Sequence, residues 1–153
     1  MSLFATLPTG KYDPARLGIG EGTFTLTPQI GLIQGLGGGF FFDGVLDVAL
    51  QKDHTEDGVK YDRKPAWQLQ AMLRKQWGPK TSLAIGYSGQ RGGEQSIGGV
   101  ETGLKVHRDQ ARIYGSHFIT PTTQVQAMYA KDFNVEGGYK YDSVVQLRLV
   151  KVF

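Results

Sequence analysis

Along most of the chain, apolar and polar side chains alternate one by one. The clearest case runs from Pro65 to Trp77. Trp67, Leu69, Ala71, Leu73 and Trp77 share one side there, and Gln68, Gln70, Met72, Arg74 and Gln76 share the other. A period of two residues is that of a β-strand, in which successive side chains point to opposite faces. The same alternation runs through residues 23–36, 40–51, 81–91, 109–119 and 124–132, with a shorter candidate at 2–7. The last segment, from Ser143 to Phe153, places Val145, Leu147, Leu149 and Phe153 on one face and Gln146 and Arg148 on the other. The pattern predicts an all-β chain of about eight strands, each roughly 9–13 residues and so long enough to cross a bilayer.

The breaks between these segments alternate in length. Gly37-Gly38-Gly39, Gly78-Pro79-Lys80 and Thr120-Pro121-Thr122-Thr123 are short turns. Residues 11–22, 52–64, 92–103 and 133–142 are longer and rich in charge or glycine. A soluble meander has no reason to sort its connections by length, whereas membrane barrels join their strands by short turns on one side and long loops on the other. Pro28 is unfit for a central ladder and predicts an edge or a bulge there. The expected fold is an antiparallel up-and-down transmembrane β-barrel of about eight strands, with both ends of the chain on the short-turn side. Lipid then covers the apolar faces and leaves the polar faces to the lumen.

This assignment sorts the candidate residues. Asp43, Asp47, Gln70, Arg74, Arg112, Gln126, Gln146 and Arg148 fall on polar faces and are expected to line a solute path or to fill a narrow core with ion pairs. Trp67, Trp77, Tyr87, Tyr129 and Phe153 are expected to form aromatic girdles. Trp67 and Trp77 lie roughly 33 Å apart along an extended strand. At a tilt of about 40° this projects to roughly 25 Å, the height of the apolar band of a barrel.

Composition narrows the function. No run of 18 apolar residues is present, which excludes a transmembrane helix but not transmembrane strands. With no cysteine, disulfides, thiolate chemistry and Cys-based zinc sites are excluded. The net charge of +3 is carried by scattered basic residues, with no Lys/Arg cluster interleaved with aromatics, so no nucleic-acid partner is expected. His54 follows Asp53 and His107 precedes Arg108-Asp109, but adjacent strand residues point apart, and no nucleophile elbow, HExxH or paired-carboxylate pattern appears. Glu56 and Asp57-Gly58 read as solvated loop charges. Gly18-Ile19-Gly20-Glu21-Gly22 and the triple glycine at 37–39 lack the strand–loop–helix setting of a phosphate site. No catalytic residue, metal site or cofactor is expected. The first residues, Met1-Ser2-Leu3-Phe4-Ala5, carry no signal peptide, so the expectation is a mature chain or the carboxyl-terminal part of a longer product.

The stretch Leu7-Pro8-Thr9-Gly10-Lys11-Tyr12-Asp13, followed by Leu17-Gly18 and Phe24-Thr25-Leu26-Thr27-Pro28, resembles the phenol-degradation meta-pathway proteins, a family of outer-membrane transporters of aromatic compounds. The glycine-rich turn after it, the Asp-bearing strand and the terminal Phe are also similar. The resemblance implies an outer-membrane barrel and passage of hydrophobic or aromatic solutes. Members of that family are commonly nearly twice as long and carry the LPTG stretch near mid-chain, whereas here it starts at Leu7. The chain is thus expected to be either a single barrel domain over residues 1–153 or the C-terminal portion of a longer barrel.

The function these observations favour is that of a Gram-negative outer-membrane channel component for small, hydrophobic or aromatic solutes, and not an enzyme. Its partners would be the lipid bilayer and, through Phe153, the outer-membrane assembly machinery. Two alternatives place the same strands differently. A soluble lipocalin-like barrel would turn the apolar faces inward around a ligand, and a structural or adhesion barrel would act through its loops.

Overall fold

The computed structural model describes residues 1–9, 23–56, 58–103, 105–137 and 139–152. Its main sheet has eight antiparallel strands in the order β1 (Ser2–Thr6), β2 (Thr25–Gly37), β3 (Phe40–Gln51), β6 (Ala66–Trp77), β7 (Thr81–Gly92), β10 (Val106–Thr120), β11 (Thr123–Glu136) and β12 (Val144–Lys151). Every strand pairs with its neighbour in sequence among these eight, so the sheet is a pure up-and-down meander. Within the described residues β1 pairs only with β2 and β12 only with β11, leaving one edge of each open.

The length alternation survives in the structure. Tight turns join β2 to β3, β6 to β7 and β10 to β11, and the other connections are long. Gly37, Gly38 and Gly39 all take positive φ, at 87°, 57° and 80°, which a side chain would oppose. Pro28 pairs with Leu3 of β1, but on its other side the β2–β3 ladder steps from Leu26↔Leu50 to Gln29↔Asp47 without engaging it. Its missing N–H therefore falls in a gap of the ladder.

Two of the long connections are not plain loops, as residues 52–64 and 92–103 were expected to be. They hold β4 (His54–Glu56), β5 (Val59–Arg63), β8 (Gln95–Ile97) and β9 (Val100–Glu101), which form a second sheet in the order β4-β5-β8-β9. Two backbone bonds, Lys64 N–H to Glu94 O at 2.9 Å and Gly93 N–H to Pro65 O at 3.1 Å, carry the β6–β7 hairpin on into this loop sheet. The other correction is in β11, which continues to Glu136 although a loop was expected from Phe133. A bulge makes the difference: Asp109 faces Asn134 while Gln110 faces Asp132, so Phe133 is the extra residue.

Burial is inverted relative to a soluble protein. Ser88, Asp109, Gln110 and Asp132 are buried, while Leu69, Leu73, Leu147 and Leu149 are 40–75% exposed. Among the described residues no helix is long and apolar enough to cross a membrane, which says nothing of crossing by strands.

Candidate functional site

Strand parity and the register place the polar side chains on one continuous face. The pairings Gln29↔Asp47↔Gln68↔Gln90↔Arg108 form one row across five strands. The next row runs Gly31↔Val45↔Gln70↔Ser88↔Gln110↔Asp132. Further toward the turns come Asp43↔Met72↔Gly86↔Arg112 and, on β11 and β12, Met128↔Gln146 and Gln126↔Arg148. All eight residues expected to line the polar face therefore share it.

Their side chains are joined in clusters. Arg74 forks onto Asp43, with Nε donating to Oδ2 at 2.7 Å and Nη2 to Oδ1 at 3.1 Å, a bidentate charge-assisted pair. The Arg74 guanidinium also lies over the Phe41 ring at 4.6 Å. Gln90 Nε2 donates to Gln68 Oε1 at 2.8 Å. Arg112 donates from Nε to Gln110 Oε1 at 2.6 Å and from Nη1 to Gln70 Oε1 at 2.9 Å. It is thus held by two neutral amides rather than by a carboxylate.

Sequence reasoning missed the most buried member, Asp132, which has no exposed surface. Its Oδ1 accepts from Gln110 Nε2 at 2.8 Å and its Oδ2 from the Tyr141 N–H at 2.9 Å, while its own N–H donates to Tyr141 O at 3.0 Å. Arg108 Nε stands 3.5 Å from Oδ2, Nη2 donates to Tyr139 O at 3.1 Å, and the guanidinium lies 5.0 Å from the Tyr141 ring. The β11–β12 connection is therefore folded down onto the polar face at the loop end of β10 and β11. Asp132 keeps the strand parity of Gln126 and Met128, so parity places it on this face; what parity could not reveal is its complete burial under the β11–β12 connection.

Pockets open along the polar face of the described residues. One of about 480 Å³ lies at the loop end, between Thr6, Thr25, Ala49 and Ala66 below and Arg63, Lys64 and Lys105 at its rim. A second of about 190 Å³ includes Asp47, Gln68 and Gln90. A third of about 180 Å³ lies against Tyr114, Gln126, Ala127, Met128, Gln146 and Arg148.

The opposite face is apolar, with a row Leu73↔Ile85↔Ile113↔Tyr129 near its middle. Trp67 and Trp77 stand at opposite ends of β6 on this face, opposite Arg91 and Thr81. Tyr87 and Tyr129 lie nearer mid-strand, opposite Ala71 and Ile113, and Phe153 is outside the described residues. Tyr87 lies over Gly89, where a Cβ would meet its ring, and donates from its hydroxyl to Asp109. Asp109 also accepts from Arg91 Nη2 at 2.6 Å and from Asn134 Nδ2 at 3.0 Å, a polar cluster near the Trp67 end of the apolar face.

A family model described as the MetA pathway of phenol degradation matches residues 1–149. The crystal structure of an outer membrane channel from Pseudomonas putida F1 is similar to the chain with a TM-score of 0.89 and 29% identity, over 99% of this chain and 58% of the channel. The chain thus spans a little over half the length of that channel. No curated protein matches its sequence.

Proposed function

The chain belongs to the family described as the MetA pathway of phenol degradation, and on that premise we propose that it forms the wall of an outer-membrane β-barrel through which small hydrophobic or aromatic solutes diffuse passively. The observation that carries this reading is the inversion of its two faces. Ser88, Gln110 and Asp132 are buried on one face, and leucines and isoleucines stand exposed on the other, where Asp109 near one end is the buried polar exception among the described residues. Water cannot stabilise the second arrangement over so wide a sheet, and lipid does so at no cost.

Solute would pass along the face bearing Asp47, Gln68, Gln70 and Arg112, beneath the loop sheet and the inward-folded β11–β12 connection, which together act as the external gate. The apolar face meets the bilayer, and the carboxyl-terminal segment after β12 meets the assembly machinery. The open edges of β1 and β12 are paired in the membrane, since lipid offers unpaired N–H and C=O groups no partner. The second reading, a soluble ligand-binding barrel, requires Leu69, Leu73, Leu147 and Leu149 to point inward, and the exposure of these four speaks against it.

The test is direct. The purified chain is expected to need detergent, to run as a compact band that shifts on boiling, and to release phenol-sized neutral solutes from liposomes. A monodisperse, detergent-free monomer that leaves liposomes tight would overturn the proposal.

A further inference from the structure

We infer that the pocket between Tyr114 and Arg148 is a binding subsite for small aromatic carboxylates. Its lining alternates the two kinds of group such a ligand needs. Arg148 and the Gln146 amide supply donors, while the Tyr114 ring and the Met128 thioether supply an apolar, polarisable wall. At about 180 Å³ the space suits one substituted benzene ring and not a fused or long-chain solute.

Charge decides the class. The other arginines of this face are already engaged: Arg74 forks onto Asp43, Arg108 lies against Asp132, and Arg112 is held by Gln70 and Gln110. No carboxylate among the described residues pairs with Arg148, and none lines the pocket. Gln126 is turned sideways, its Nε2 donating to Gln124 Oε1 at 2.7 Å. A guanidinium without an anion, set beside a phenol ring and a thioether, matches a carboxylate attached to an aromatic ring. Its planar fork offers two parallel N–H donors, which a neutral phenol cannot use.

This subsite rests on the transport reading for its purpose but not for its test. Equilibrium dialysis of benzoate and of benzyl alcohol against the detergent-solubilised chain measures the pocket alone. Benzoate is expected to be retained by the wild type, about tenfold or more weakly by Arg148→Gln, and to intermediate extent by Arg148→Lys. Retention of benzyl alcohol should be weak and the same in all three. The heat-shifted gel band reports whether each variant is folded. Benzoate retained equally by Arg148→Gln and wild type, or by neither, would overturn the assignment. Liposome flux separates the two ideas: binding of benzoate without release of any solute would sink the channel and leave the subsite standing.

Discussion

Arg112 and Gln70 belong to strands that are not neighbours, β10 and β6, and yet their side chains meet at 2.9 Å across the intervening β7. The residue of β7 opposite Arg112 is Gly86. A Cβ there would run into the Ala71 carbonyl oxygen, the Met72 sulfur and the Met72 Cα. The glycine thus lets strand β6 approach and leaves a lane through which the guanidinium reaches two strands away.

Gly86→Ala is therefore expected to destabilise the sheet by about 1–3 kcal/mol, the usual cost of overpacking. The urea midpoint for unfolding in detergent should fall. Arg112→Gln should cost less, because it leaves two amides that find other partners in a wet face. If Gly86→Ala unfolds at the wild-type midpoint, the lane has no energetic meaning.

The assignment of faces predicts a second contrast. Ile85 lies in the middle of the apolar face, between Leu73 and Ile113, whereas Gln68 lies on the polar face between Asp47 and Gln90. Ile85→Arg is expected to cost about 2–4 kcal/mol in lipid, the depth-dependent penalty of a midplane cation, and Gln68→Arg less than about 1 kcal/mol. Folding into bilayers of defined composition measures both. Equal costs would mean that the faces have been assigned the wrong way round.

Much of this was legible in the residues. Strand parity alone put Asp43, Gln70, Arg74, Arg112 and Arg148 on one face, because a period-two element has only two faces to offer. What parity cannot give is the register between strands. The bidentate Arg74–Asp43 pair is diagonal, Asp43 lying opposite Met72 and Arg74 opposite Phe41, so it depends on how β3 and β6 slide past each other. The bulge at Phe133 reverses parity after Asp132 and hid the end of β11; Asp132 keeps the parity of Gln126, and its burial depends on Tyr141 of the following connection, which parity cannot show. The charged connections hid the loop sheet for a related reason: β5 pairs with β8 of another connection, and neither is patterned without its partner.

Besides the two backbone bonds that continue the β6–β7 hairpin, one ammonium ties β9 of the loop sheet to that connection. Lys64 Nζ lies 2.9 Å from Glu94 Oε2 and 2.7 Å from Glu101 Oε1. The hydrogen bond and charge of Lys64 hold Glu94 below the usual carboxylate range, and Glu101 first and Glu94 second raise Lys64 above the usual lysine value. A carboxylate lowered in the folded state adds stability above its unfolded pKa and loses it as pH falls through the folded value. A raised lysine keeps its contribution below its unfolded pKa and loses it as pH climbs through the folded value. The tether is thus complete from about pH 4 to about pH 10 and loosens on acidification below that window. Protection of the β8 and β9 amides, measured against their intrinsic exchange rate at each pH, should fall below about pH 4, and Lys64→Gln should show the lower protection already at neutral pH. Lys64 and Glu101 are exposed and Glu94 is half-buried, so the effect stays local; protection that does not change with pH would rule the tether out.

Asp132 offers the sharpest test of the gate. It holds the β11–β12 connection by two backbone bonds to Tyr141, one of which needs its carboxylate, and it balances the charge of Arg108. Asp132→Ala removes the acceptor and leaves Arg108 without its anion, a loss of about 3 kcal/mol, at the low end for a broken buried pair because Arg108 keeps some access to solvent. Asp132→Asn keeps an acceptor for the Tyr141 N–H and loses only the charge, so its effect should be smaller. The two consequences are linked: as the connection lifts off the polar face, neutral solutes should cross liposomes faster, in the order wild type, Asp132→Asn, Asp132→Ala. Stability loss without faster flux would show that the folded-down connection braces the wall and does not gate it.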